Sequence, residues 1–188
     1  MGKRICVYCS SSNTMAPEYY AAAAQFARLA AKEGHCLVCG GSWRGLMGTL
    51  IEATLEVGGE IEGVIPQFMY DRGWDDKRVS RLVVVADMQE RKRLLLQDAD
   101  AVVVFPGGPG TLEEFAEALS AKRLGRFMQA IIVFNQNGFY DSLLAFFDKM
   151  EAEQMLPASE TPIWQVVDRV EDILPSIENA PIYHCMHP

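Results

Sequence analysis

The chain has no surplus of positive charge, no long apolar run and only three histidines. Its 188 residues carry 25 acidic and 17 basic side chains, a net charge of −8. A surface for nucleic acid polymers is therefore not expected, although a small basic pocket is allowed. No apolar stretch reaches the ~20 residues of a membrane span, so no membrane partner is expected. Met1-Gly2-Lys3-Arg4 leads into a strand-like run without a signal-peptide core. Cys6 stands where a myristoylation pattern needs Ser or Thr, and Cys185-Met186-His187-Pro188 does not suit prenylation. A cytoplasmic protein is the expectation. His35, His184 and His187 fall in a turn and in a tail expected from about residue 180, without partners for triad chemistry. Ser10-Ser11-Ser12 lacks a nucleophile elbow.

Both named phosphate signatures are missing as well. In Gly107-Gly108-Pro109-Gly110-Thr111-Leu112-Glu113-Glu114, Glu113 stands where the dinucleotide fingerprint needs its third glycine, and no lysine precedes Thr111 as a P-loop requires. Cys6-x-x-Cys9 and Cys36-x-x-Cys39 have the spacing of a four-cysteine zinc site but lie in strand-like runs. Residues three apart on a strand face opposite ways, so neither pair chelates from a regular strand, and buried free thiols are the better reading.

What remains is an ordinary globular composition, 49% hydrophobic and 22% charged, in a length that suits one domain over residues 1–188. Apolar runs at 4–9, 36–39, 61–65, 82–86, 101–105 and 131–134 read as strands, with a short one near Trp164. Helical patterns lie between them, from Pro17 to about Lys32, over 46–57, over 88–97 behind Asp87, over 112–124 and over 139–152, with a last helix over 170–177. This alternation predicts an α/β fold, a single doubly wound, mostly parallel sheet with helices on both faces, Rossmann-like. Residues 67–80 mix aromatics, charges and Gly73 and fit either a lid or a short helix.

The strongest local feature is Phe105-Pro106-Gly107-Gly108-Pro109-Gly110-Thr111, a strand end, a glycine loop and a helix start in succession. Glycine lets the main chain approach a ligand, and the free N–H groups of a helix start suit an anion. Thr111 is placed to cap that helix or to bond a phosphate oxygen. Glu114, one turn in, can reach the same mouth. A turn and a capped helix with no ligand would use the same residues.

Loops 10–12, 40–42, 87–92 and 106–111 all follow strands and are expected to line one crevice. Ser10, Gly40, Gly41, Arg91, Lys92 and Glu114 then meet there as a kit for phosphate and sugar with one carboxylate for acid–base work. Arg91 and Lys92 open a helix, where positive charge opposes the dipole, so they read either as anion ligands or as surface cations that snorkel. Acids at Glu113 and Glu114 favour a helix start without further function.

These residues resemble the Lonely Guy family of cytokinin riboside 5′-monophosphate phosphoribohydrolases, often labelled lysine decarboxylases. The pattern Pro-Gly-Gly-x-Gly-Thr-x-x-Glu is met by Pro106, Gly107, Gly108, Gly110, Thr111 and Glu114, and Met-x-x-Arg-Lys by Met88, Arg91 and Lys92. Val7-Tyr8-Cys9-Ser10-Ser11-Ser12, Gly40-Gly41-Ser42-Trp43-Arg44-Gly45-Leu46-Met47-Gly48 and Gly63-Val64-Ile65-Pro66 fall where the family has similar stretches, so the likeness spans roughly residues 4–150. It implies hydrolysis of the N-glycosidic bond of an adenosine 5′-monophosphate, plain or N6-modified, to free base and ribose 5-phosphate. It further implies that Gly107, Gly108, Gly110 and Thr111 hold the phosphate, that Arg91 and Glu114 are catalytic, that no metal or cofactor is required and that the protein is a homodimer. Gln89 replaces a common His, Pro109 a common Tyr or Gly, and Ser120-Ala121-Lys122-Arg123 a Thr-Trp-Ala-Gln run. These departures bear on the base and the dimer contact rather than on the phosphate. The other reading is a protein that binds a nucleotide or phosphorylated cofactor without hydrolysing it.

Overall fold

The computed structural model describes residues 2–156 and 161–183, so His184, Cys185 and His187 lie outside the described residues. Seven parallel strands form one sheet in the order β4-β3-β2-β1-β5-β6-β7. They are β1 (Arg4–Tyr8), β2 (Cys36–Cys39), β3 (Glu60–Pro66), β4 (Arg81–Val85), β5 (Ala101–Val104), β6 (Ala130–Phe134) and β7 (Gln165–Val167). The predicted doubly wound α/β sheet is thus present, with every pairing parallel. The order reverses at β1, which pairs with β2 on one side and with β5 on the other. Open α/β sheets hold ligands at such a reversal, beyond the carboxyl ends of the strands.

The helices are α1 (Pro17–Lys32), α2 (Gly45–Glu56), α3 (Gln67–Tyr70), α4 (Met88–Leu96), α5 (Pro109–Arg123), α6 (Asp141–Ala152) and α7 (Ile173–Glu178), with 3-10 turns at Gln136–Gly138 and Val170–Asp172. Alternation along the strands divides the core into two layers. Ile5, Val7, Leu37, Val103 and Phe105 pack against α1, α2 and α7, with Phe26, Phe105 and Phe134 in edge or tilted ring contact. Cys6, Val38, Val102 and Val104 face Leu95 of α4, Phe115 of α5 and Phe147 of α6. Cys6 and Cys9 belong to opposite layers, as the strand reading requires. Each fully buried Phe, Ile or Leu contributes about 1.5–3 kcal/mol relative to exposure.

Helix starts follow their sequence signals with one exception. Pro17 opens α1, and Asp87 Oδ1 accepts from the Glu90 amide at 2.9 Å to cap α4, while Glu90 Oε2 returns a bond to the Ala86 amide. Thr111 caps nothing: α5 begins two residues earlier at Pro109, because proline presets the first helical turn, and its N-cap is Gly108 with no side-chain bond. Within the stretch expected as a tail, Pro181 and Ile182 are exposed and Tyr183 is buried with its ring 5.5 Å from the Lys122 ammonium. Among the described residues no helix is long and apolar enough to cross a membrane.

Candidate active site

A cavity of about 470 Å³ opens at the carboxyl ends of β1, β2 and β5, within the range of small-molecule sites. Its wall contains Ser10, Ser11 and Ser12 after β1, Gly40 and Ser42 after β2, Met88 and Arg91 on α4, and Gly108, Gly110, Thr111 and Glu114 on α5. The four predicted loops therefore do converge. The Pro106 carbonyl accepts from the Ser10 amide at 3.3 Å, which locks the β1 and β5 loops together.

Arg91 is held from three sides. Its Nε donates to the Val64 carbonyl at 3.1 Å, its Nη1 lies 3.4 Å from Glu114 Oε1, and Met88 Sδ lies beside it. The space for its guanidinium comes from Gly40, where a Cβ would overlap Nη2 and crowd Met47 Sδ. Gly40→Ala is expected to displace Arg91 and cut turnover at least tenfold while the far-ultraviolet circular dichroism spectrum stays that of the parent. Wild-type kinetics from that variant would show that Gly40 has no such task.

The side chains of Arg91 and Glu114 are 10% and 11% exposed. Burial pushes the Glu114 carboxyl above its usual 4.5, and the neighbouring Arg91 charge offsets part of that rise. The result is a carboxylate kept ready to bind a proton beside a fixed cation, at the mouth of a helix whose first amides have no side-chain cap.

Three sequence-predicted residues stand apart from the wall. Lys92 is not part of it: its Nζ reaches Glu113 Oε1 at 2.9 Å and Glu117 Oε2 at 2.8 Å, and these partners raise its pKa, Glu117 first. Gly41 lies against Gly63 with φ +70°, a close approach of the β2 loop to β3 that leaves no room for a side chain. Gly107 makes room for Thr111 rather than facing the cavity. Of the departures from the family pattern, Pro109 lines the cavity, and Gln89 and the run Ser120 to Arg123 do not. No lysine lines it either, so the wall does not fit a pyridoxal cofactor, which needs an amine at the reacting centre.

Sequence reasoning missed the wall opposite α5. Arg44, Met47, Met69 and Trp74 complete the cavity there. The segment over 67–80 contains α3 and then a strap bound across the β2 loop. The Trp43 amide donates to the Trp74 carbonyl at 3.3 Å, the Asp76 amide to the Gly41 carbonyl at 2.8 Å, and the Trp43 indole to the Gly73 carbonyl at 3.1 Å. Arg44 and Met47 lie in the Gly40 to Gly48 stretch that resembles the family, and Trp pairs with Arg both at 43–44 and at 72–74.

The family model described as "Possible lysine decarboxylase" matches residues 47–177. A cytokinin riboside 5′-monophosphate phosphoribohydrolase of Arabidopsis thaliana, LOG7, is 39% identical over 147 residues, covering 78% of this chain and 68% of its own. LOG1 of the same plant is 34% identical over 185 residues, covering 95% and 87%. Among solved structures, the molybdenum cofactor carrier protein of Chlamydomonas reinhardtii superposes with a TM-score of 0.74 at 20% identity, covering 95% of this chain and 97% of that one. At that identity the superposition speaks for the fold alone.

Proposed function

Because this chain belongs to the Lonely Guy family, whose model carries the lysine decarboxylase description and whose plant members are phosphoribohydrolases, we propose that it hydrolyses the N-glycosidic bond of a nucleoside 5′-monophosphate. The substrates closest to those relatives' names are AMP and its N6-modified forms, such as a cytokinin riboside 5′-monophosphate. The observation that carries the reading is the buried Glu114 carboxylate, 3.4 Å from Arg91, in a cavity walled on one side by the start of α5.

The 5′-phosphate takes the free amides at Gly108, Gly110 and Thr111, with Ser10 beside them. The ribose then lies over Arg91 and Glu114. The bond from C1′ to the base nitrogen breaks with both electrons leaving on the base, and positive charge grows on the ribosyl ring as in other glycoside cleavages. Glu114 stabilises that charge and takes a proton from the water that attacks C1′. The departing base acquires one proton, so nucleotide plus water becomes base plus ribose 5-phosphate. Arg91 fixes the ribose phosphate and offsets part of the rise that burial imposes on the Glu114 carboxyl. In a carrier that released its ligand unchanged, Glu114 would be only a helix-start acid paired with Arg91. Chromatography of AMP and isopentenyladenosine monophosphate after incubation tests the proposal: free base is expected, and intact nucleotide from both would refute it.

The proposed assembly is a homodimer, in keeping with exposed apolar residues such as Leu124 and Met128 just beyond α5. Light scattering should give twice the mass of the chain, and a single-chain mass at micromolar concentration would rule the dimer out.

A further inference from the structure

The wall that carries Arg44 and Trp74 has no part in the phosphate or ribose chemistry above, and the setting of Arg44, with Trp43 stacked on it from outside the cavity, is unusual for a structural cation. The Arg44 guanidinium carbon lies 5.8 Å from the Trp43 ring centroid and 5.7 Å from that of Trp74. The Arg72 guanidinium carbon lies 5.3 Å from the Trp74 ring centroid and 5.9 Å from that of Phe68, which extends the stack along the strap. Arg44 lines the cavity, yet no acid pairs with it, and its buried Nε has no hydrogen-bond partner among the described residues. The other arginine on the wall, Arg91, is paired with Glu114. A guanidinium stacked in this way, with its Nε sealed off, keeps its two terminal Nη groups for a ligand, in a fork that fits two adjacent acceptors.

Sheet order decides which end of a nucleotide that fork meets. The phosphate belongs at α5, on the β5 side of β1, while Arg44 leads into α2 on the β2 side. Of its neighbours on the wall, Ser42 accepts from the Arg44 amide, while Met47, Met69 and Trp74 are apolar and aromatic and supply a face for a planar base. The base edge that offers two adjacent acceptors to an arginine is the O6/N7 edge of a 6-oxopurine. Adenine presents N7 next to an N6 donor, which opposes the fork.

We infer that the cavity takes 6-oxopurine nucleoside 5′-monophosphates, with Arg44 reading O6 and N7 of the base against Trp74. The inference rests on the proposed phosphoribohydrolase site and widens its substrate class beyond adenine. No bond is made or broken by Arg44, so its role is in specificity.

The test measures binding of GMP, IMP and AMP by calorimetry in the Glu114→Gln background, where turnover does not interfere, with and without Arg44→Gln or Arg44→Lys. GMP and IMP are expected to bind at least as tightly as AMP. Arg44→Gln should weaken GMP and IMP by roughly 5- to 150-fold, the discrimination typical of a two-bond arginine–base contact, and AMP by less than about threefold. Arg44→Lys keeps the charge but loses the fork and should behave like Arg44→Gln. Equal weakening of all three nucleotides by Arg44→Gln, with rescue by Arg44→Lys, would make Arg44 a phosphate contact and overturn the inference. Unchanged binding in both variants, or tight binding of AMP with none of GMP and IMP, would overturn it as well. Because binding is read separately from hydrolysis, a protein that selects GMP without cleaving any nucleotide would refute the hydrolase reading and leave this one standing.

Discussion

Glu114→Gln is expected to lower kcat by on the order of 10²–10⁴-fold while nucleotide binding stays within a few-fold of wild type. The amide has nearly the carboxylate's shape, and it can neither accept the water's proton nor carry the charge that faces the growing cation on the ribosyl ring. Its effect therefore falls on the transition state and not on the ground state. The pH dependence of the wild type carries the same information. Glu114 acts as a base, so it must be ionised, and burial holds its pKa above the usual 4.5. kcat/KM should fall as pH drops through that raised value, and this acid limb should vanish in the residual activity of Glu114→Gln. A Glu114→Gln enzyme of near wild-type rate, or one that keeps the acid limb, would remove Glu114 from the chemistry.

The second large effect is expected at Arg91. Arg91→Ala should reduce kcat/KM by on the order of 10²–10³-fold, the range for losing one preorganised charge-stabilising group. The variant should also shift the acid limb of the pH–rate profile upward. Arg91 is the group that lowers the Glu114 pKa against the pull of burial, so without it the carboxyl takes up its proton at higher pH. Removing the guanidinium also leaves the Val64 carbonyl without its 3.1 Å donor, at a cost of about 1–3 kcal/mol in stability. Arg91→Lys retains a charge but not the fork that bonds Val64 and Glu114 together, and it should recover the position of the acid limb better than the rate. A profile that does not move in Arg91→Ala would mean that the two groups are uncoupled.

Much of this arrangement was legible in the chain because local chemistry marks it. Pro17 and Gly34 bracket α1, Asp87 caps α4, and the run Pro106 to Thr111 announces a loop with bare amides where a strand gives way to a helix. Alternation on the strands assigned Cys6 and Cys9 to different layers without any knowledge of the fold. The departures have two sources: partners far along the chain for Lys92 and for residues 67–80 and, for Thr111, a proline two residues before it. Lys92 read as an anion ligand or a surface cation because positive charge opposes the dipole at a helix start, whereas Glu113 and Glu117, 21 and 25 residues further on, face it from α5. Thr111 looked like a cap because Ser and Thr favour that position, but Pro109 starts the helix first. Residues 67–80 could not be placed because their order comes from bonds to Gly41 and Trp43, some thirty residues away, and no local periodicity records such bonds. Met69 and Trp74 of that segment line the cavity beside Arg44 and Met47, so this wall is the part of the site that local pattern leaves open.

The central claim is cleavage at C1′, and one phosphorus NMR experiment addresses it directly. AMP is followed with the wild-type protein and, in parallel, with Glu114→Gln. The account predicts that the AMP resonance is replaced by those of ribose 5-phosphate in the wild-type sample, with adenine released in equal amount, and that the variant leaves AMP intact though bound. Inorganic phosphate in place of ribose 5-phosphate, or AMP that binds the wild-type protein and remains whole, would contradict it.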